Sequence, residues 1–308
     1  TAMVSKVLKD NGKDPSVVVG SLLKEGGSNF ISGQSDLLVI EACEYKRSFL
    51  NFYPQILVIT NIEEDHLDYY KDLADIQNAF HEIAARVPAD GFVIADTDDE
   101  KVAPVLENIS AQIIDYKKYI ADANPGVPGE HNKKNGACAM AIAEIFNIEK
   151  SLAQKSLENF TGTWRRFEYK GTLQGGGIVY DDYGHHPSEI IATLKGAREK
   201  FPGKEIIVLF EPHLYSRTKI FMEDFAGALS LADKVFILPI YAAREKFDPS
   251  VTAGHLAEKI KSRGILAEDI ESDSVAAVKI QENDNPRAVF ILLGAGDVYK
   301  ISDKLFYA

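Results

Sequence analysis

Eight short apolar runs, each ending in polar residues, constrain the fold of this chain more than any other feature. They are VVVG (17–20), DLLVIEAC (36–43), QILVITNI (55–62), GFVIADT (91–97), GIVYDDY (177–183), EIIVLFEPH (205–213), KVFILPIY (234–241) and AVFILLGAG (288–296). Their near-continuous hydrophobicity is that of strands buried on both faces. Helical patterns separate them: an amphipathic segment at 68–87, another at 129–147, then 186–201, 216–232 and 251–264. Strand alternating with helix predicts parallel sheets built from right-handed βαβ units. At 308 residues the chain is long enough for two α/β domains, expected at 1–162 and 163–308.

Composition narrows the class of partner. The net charge is −12 and there is no long basic run, which argues against nucleic acid or an anionic membrane surface. No apolar stretch approaches the ~18 residues of a membrane span. Cys43 and Cys138 lie far apart and are expected to be reduced, buried thiols of a cytoplasmic protein.

In parallel sheets, ligands bind beyond the carboxyl ends of the strands. That rule singles out IEACE (40–44), TNIEEDH (60–66), YDDYGHHP (180–187), FEPHLYSR (210–217) and LLGAGD (292–297). Glu41 and His66, at two successive tips, suit Mg2+; equally, they suit a polar loop edge with Asp65 and Asp68 as helix caps. Asn132 and Asn135 share one helix face beside His131, ahead of a run of small residues. That pattern suits contacts to a base or ribose, or capping and close packing. Arg165 and Arg166 are either a phosphate-reaching pair at the domain junction or a solvated basic pair. Asp181, Asp182, His185 and His186 are too dense after a core strand to be ordinary loop residues, although an Asp–His pair that fixes the loop is the alternative. GAGD (294–297) offers backbone amides to a phosphate, or a simple turn. No G-x-x-x-x-G-K-[ST] occurs anywhere in the chain.

Taken in order, IEACEYKRSFL, VITNIEEDHLDYY, GEHNKKNGACAMAIA, TWRRFE, YDDYGHHPSE, FEPHLYSRT and LLGAGDVYKI resemble the Mur ligase family over nearly the whole chain. The resemblance implies a central ATPase domain followed by a Rossmann-like domain that brings the amino acid. It implies ATP and Mg2+ as cofactors, and UDP-N-acetylmuramate and L-alanine as substrates. It implies Mg2+ on Glu41 and His66, nucleotide contacts from His131, Asn132, Asn135, Arg166 and Asp182, and amino-acid contacts from Tyr183, His185 and Arg217. Asp182, His185 and Arg166 would be the catalytic set. The family's phosphate loop would fall just before Thr1, so these 308 residues alone are expected not to turn over ATP. DDYGHHP favours the alanine-adding branch over the tripeptide-recycling branch, which tends to read DDFAHHP. A catalytically silent fragment is the remaining alternative. Two departures stand out: Leu214 where the family often has arginine, and Arg244 where glycine is common.

Overall fold

The computed structural model describes residues 1–23, 27–67 and 69–306. The chain forms two compact units, Thr1–Val127 with His131–Thr161, and Pro128–Glu130 with Gly162–Ala308.

The first unit contains helix α1 (Ala2–Asp10), strands β1 (Ser16–Leu23), β2 (Ser28–Ile31), β3 (Leu38–Ile40) and β4 (Ile56–Val58), helix α2 (Leu73–Ala84), strands β5 (Phe92–Ala95) and β6 (Gln112–Asp115), and helices α3 (Glu130–Ile145) and α4 (Lys150–Glu158). Its strands form two three-stranded sheets, ordered β2-β1-β3 and β4-β5-β6. The second is wholly parallel, but β1 pairs antiparallel with β2, a strand without a signature in the sequence. The β5 side chains alternate between two cores. Ile94 joins α1, α3 and α4, whereas Val93 and Ala95 join α2. Small residues 136–143 are the buried part of α3; a Cβ on Gly136 would lie 3.2 Å from the Ala123 methyl, a tight contact that glycine avoids.

Three local expectations are corrected here. Helix α2 starts at Leu73, not near 68, because Asp72 caps it by accepting from the Asp75 amide at 2.9 Å. Asp65 instead accepts from the His66 amide, and Asp68 lies outside the described residues. Cys43 is exposed, because β3 ends at Ile40 and leaves it on the tip; Cys138 is buried in α3 as expected.

The second unit contains β7 (Glu168–Thr172), β8 (Ile178–Asp182), α5 (Pro187–Lys200), β9 (Glu205–Phe210), α6 (Tyr215–Ile220), α7 (Met222–Leu229), β10 (Lys234–Ile237), α8 (Ala253–Lys261), β11 (Leu266–Asp269), α9 (Asp273–Glu282), β12 (Ala288–Leu293) and α10 (Ile301–Phe306). One six-stranded sheet runs β11-β10-β9-β12-β8-β7, parallel except for β7 at its edge. Helices α5, α7 and α8 cover one face, and α9 and α10 cover the other. All six residues of β12 are fully buried; Val289, Ile291 and Leu293 face one helical layer, and Ala288, Phe290 and Leu292 face the other. Apart from Ala288, each such side chain contributes ~1.5–3 kcal/mol on burial, which explains the continuous apolar run. The single helix expected at 216–232 is two, broken at Phe221 (φ −101°, ψ 24°).

Because β12 inserts between β8 and β9, the strand order reverses there, and the crevice outside such a switch point is where α/β sheets bind ligands. The tips that meet there are 181–186, 211–217 and 294–297. Among the described residues, no helix is long and apolar enough to cross a membrane.

Candidate active site

In the first unit, Glu41 follows β3, its amide donating to the Val18 carbonyl at 2.9 Å. A Cβ at position 20 would lie 2.5 Å from Glu41 Oε1, so Gly20 leaves the space that carboxylate occupies. His66 adopts a left-handed backbone (φ 55°), and its Nε2 lies 3.3 Å from Glu44 Oε1. The imidazole holds the Glu44 carboxyl below the usual range, chiefly by hydrogen bonding. Tyr45 packs on the His66 ring at 4.7 Å, and the Tyr70 hydroxyl donates to the Glu44 carbonyl, which ties the two tips together. Glu44 was missed as a site residue, although it closes the quoted IEACE run. Carboxylate oxygens with one imidazole suit Mg2+, which keeps several waters. Among the described residues, no three His, Cys, Asp or Glu side chains form a ligand set, so the remaining ligands of such an ion would be water and phosphate. Asn132 and Asn135 lie one turn apart on α3, both half-buried; His131 is exposed.

In the second unit, α5 begins with a capping box. The His186 side chain caps the Ser188 amide, and Glu189 accepts from the His185 and His186 amides at 2.9 and 3.1 Å. Burial pushes the Glu189 carboxyl up, but His185, Arg166 and those amides outweigh it and hold the group below its ordinary value. The His–His–Pro motif therefore serves first to open a helix.

Arg165 and Arg166 have opposite environments. Arg165 is 2% exposed, so the solvated-pair reading is corrected for it. Its Nε donates to Asp181 Oδ2 at 3.0 Å, and its Nη atoms donate to the Gly296 and Gly294 carbonyls. The Trp164, Tyr183 and Tyr299 rings surround its guanidinium. Arg166 is half-exposed, 3.9 Å from Glu189 and over the Tyr183 ring at 5.5 Å. Asp182 is turned inward; Oδ1 accepts from the Gly184 amide and the Thr193 hydroxyl, and Oδ2 accepts from the Phe167 amide. These bonds shape the 181–186 loop and leave little of the carboxylate for a nucleotide.

Tyr183 meets His185 edge-on at 5.3 Å, and His185 meets His213 at 5.9 Å. Arg217 Nη1 lies 3.4 Å from His213 Nδ1. Burial, then the charges of His185, Arg217 and Arg244, push His213 down to about 4. His213 is thus neutral beside two arginines, and sequence reasoning passed over it. Leu214 is buried with φ 72°, and Arg244 follows Ala243 (φ 48°) on an exposed loop.

Glu211, also missed, is 7% exposed at the β9 tip, and burial pushes its carboxyl up to about 7. A carboxyl raised in the folded state stabilises fully below its ordinary 4.5, and that stability is lost as pH rises through about 7. Glu211→Gln is therefore expected to unfold at higher denaturant than the parent above pH 7, by up to about 3 kcal/mol, the difference closing toward pH 4. A denaturation series across that range checks it.

The family profile described as the Mur ligase middle domain matches residues 23–124, and that described as the Mur ligase, glutamate ligase domain matches 165–296. The UDP-N-acetylmuramate–L-alanine ligase of Caldanaerobacter subterraneus subsp. tengcongensis is 36% identical over 99% of this chain and 72% of its own length. That of Caldicellulosiruptor saccharolyticus is 37% identical over 97% and 72%. This chain belongs to the Mur ligase family. Its fold agrees: the crystal structure of the UDP-N-acetylmuramate–alanine ligase from Thermotoga maritima superposes with a TM-score of 0.79 at 26% identity, over 99% of this chain and 71% of that one. As a Mur ligase, it is an ATP-dependent, ADP-forming enzyme of peptidoglycan synthesis.

Proposed function

We propose that this Mur ligase joins L-alanine to UDP-N-acetylmuramate in the cytoplasm, with residues 1–162 as its ATPase domain and 163–308 as its amino-acid domain. The observation that carries the reading is the pair of guanidinium groups, Arg217 beyond β9 and Arg244 on the loop after β10, beside the neutral His213, with His185 next to its ring. Such a pair fits a small amino-acid carboxylate.

In the reaction, the muramoyl carboxylate receives the γ-phosphoryl group of ATP, the amine of L-alanine attacks the acyl phosphate, and phosphate leaves as the amide forms. Mg2+, on Glu41 and His66 with Glu44 orienting the imidazole, would neutralise phosphate charge. Asn132 and Asn135, with His131 beside them, contact the nucleoside. Arg166, half-exposed, reaches phosphate oxygens. His185 takes a proton from the alanine ammonium, and Tyr183 helps enclose the amino acid. Asp182 acts mainly by holding the loop that carries Tyr183 and His185.

The test is ADP release by the complete gene product with UDP-N-acetylmuramate and Mg-ATP. Stimulation by L-alanine is expected. Stimulation by the L-Ala-γ-D-Glu-diamino-acid tripeptide instead would move the chain to the recycling reaction. Lack of response to either would remove the ligase reading.

A further inference from the structure

The 294–297 loop makes no contact assigned to the reaction above, yet it is held from two sides. Arg165 takes its carbonyls, with Nη1 2.9 Å from the Gly296 oxygen and Nη2 on the Gly294 oxygen. Arg165 is itself fixed by Asp181 at 3.0 Å and by the Tyr299 ring at 4.5 Å. On the other side, Glu211 Oε2 accepts from the Val298 amide at 3.1 Å. Gly296 has no room for a side chain. A Cβ there would lie 2.2 Å from Glu211 Oε2 and 2.8 Å from the Tyr241 ring.

Tyr241 therefore rests on the backbone of the loop. Its ring also stacks on that of His213, the two centroids 5.6 Å apart with an interplanar angle of 15°. The pair is also joined through the backbone, since the Leu214 amide donates to the Tyr241 carbonyl and the Tyr241 amide to the Pro212 carbonyl. His213 Nδ1 in turn faces Arg217 Nη1 at 3.4 Å.

We propose that the 294–297 loop, clamped by Arg165 and Glu211, positions the amino-acid-binding cations: Gly296 seats Tyr241, Tyr241 seats His213, and His213 aims Arg217. Arg165, Glu211, Gly296 and Tyr241 are then positioning residues acting on a site they do not touch. The inference rests on the amino-acid-site reading of Arg217. The low proton affinity of His213 agrees with it: burial lowers it most, the Arg217 and Arg244 charges lower it further, and Glu245 opposes them.

The test uses the complete gene product carrying Gly296→Ala, Tyr241→Leu or Tyr241→Phe. Gly296→Ala and Tyr241→Leu are expected to raise KM for L-alanine about tenfold or more, with KM for ATP unchanged, because a misplacement of ~1 Å at a reacting site costs up to ~10²-fold. Tyr241→Phe keeps the ring and should retain the parent KM. In parallel, the His213 imidazole is titrated by NMR, and its midpoint should rise from about 4 in the first two variants and stay put in the third. An unchanged alanine KM in folded Gly296→Ala and Tyr241→Leu proteins would overturn the proposal. A parent enzyme indifferent to L-alanine would overturn the functional reading instead. The His213 titration then decides the positioning chain alone, an unmoved midpoint counting against it.

Discussion

Arg217→Ala in the complete gene product is expected to raise KM for L-alanine roughly a hundredfold while changing kcat much less. A charge-assisted hydrogen bond from guanidinium to carboxylate contributes about 1.5–3 kcal/mol, and each 1.4 kcal/mol is tenfold in affinity. The side chain is half-buried, on the first turn of α6 and 3.4 Å from His213 Nδ1, so its interaction is only partly screened by solvent. Arg244→Ala should cost less, since Arg244 sits on an exposed loop and reaches His213 only through its charge. Initial-rate ADP release at varied L-alanine separates the two. An effect of Arg244→Ala equal to or larger than that of Arg217→Ala would show that the carboxylate is held elsewhere than by Arg217.

The second large effect is on stability. Asp181→Ala is expected to destabilise the second unit by about 3–5 kcal/mol, because it strands a buried guanidinium. Arg165 and Asp181 are 2% and 0% exposed, and among the described residues the Asp181 carboxylate is the countercharge bonded to the Arg165 guanidinium. The two carbonyls and the rings around Arg165 carry partial charges only. Burial pushes Asp181 up to about 7 against the pull of Arg165, so denaturation is best followed at pH 8, where the pair is charged. Asp181→Asn keeps an acceptor for Nε and should lose less. A loss below about 1 kcal/mol for the alanine variant would mean that water enters and solvates the arginine. The figure measures the stranded charge rather than the net worth of the pair, which bears a large desolvation cost of its own.

The strand tips were legible because their signal is local. An apolar run followed by Glu41, His66, Asp182 or Glu211 marks the end of a buried strand without reference to anything distant. The start of α5 was legible for the same reason, since Pro187 suits a first helical turn, whereas the His186 cap emerged only from the structure. Elements with weak local signals were misjudged. Strand β2 is short and half-exposed and β7 lies at a sheet edge, so neither shows a continuous apolar run. The start of α2 shifted to Asp72 because a cap is chosen by the geometry of the chain entering the helix, and several aspartates were available.

By itself, then, the sequence determined the α/β class, most strands, the helical segments that became α2, α3, α5 and α8, and the motifs that relate this chain to the Mur ligases, but not α4, α9 or α10. All of these depend on periodicity or on residues adjacent along the chain. Only the tertiary structure decided that β12 lies between β8 and β9, that Arg165 is interior while Arg166 is not, and that Gly296, Tyr241 and His213 stack toward Arg217. Strand order, burial and ring contacts depend on which distant surfaces exclude water together. For two adjacent arginines, that choice is made by Asp181 and the Gly294 and Gly296 carbonyls, up to 131 positions away.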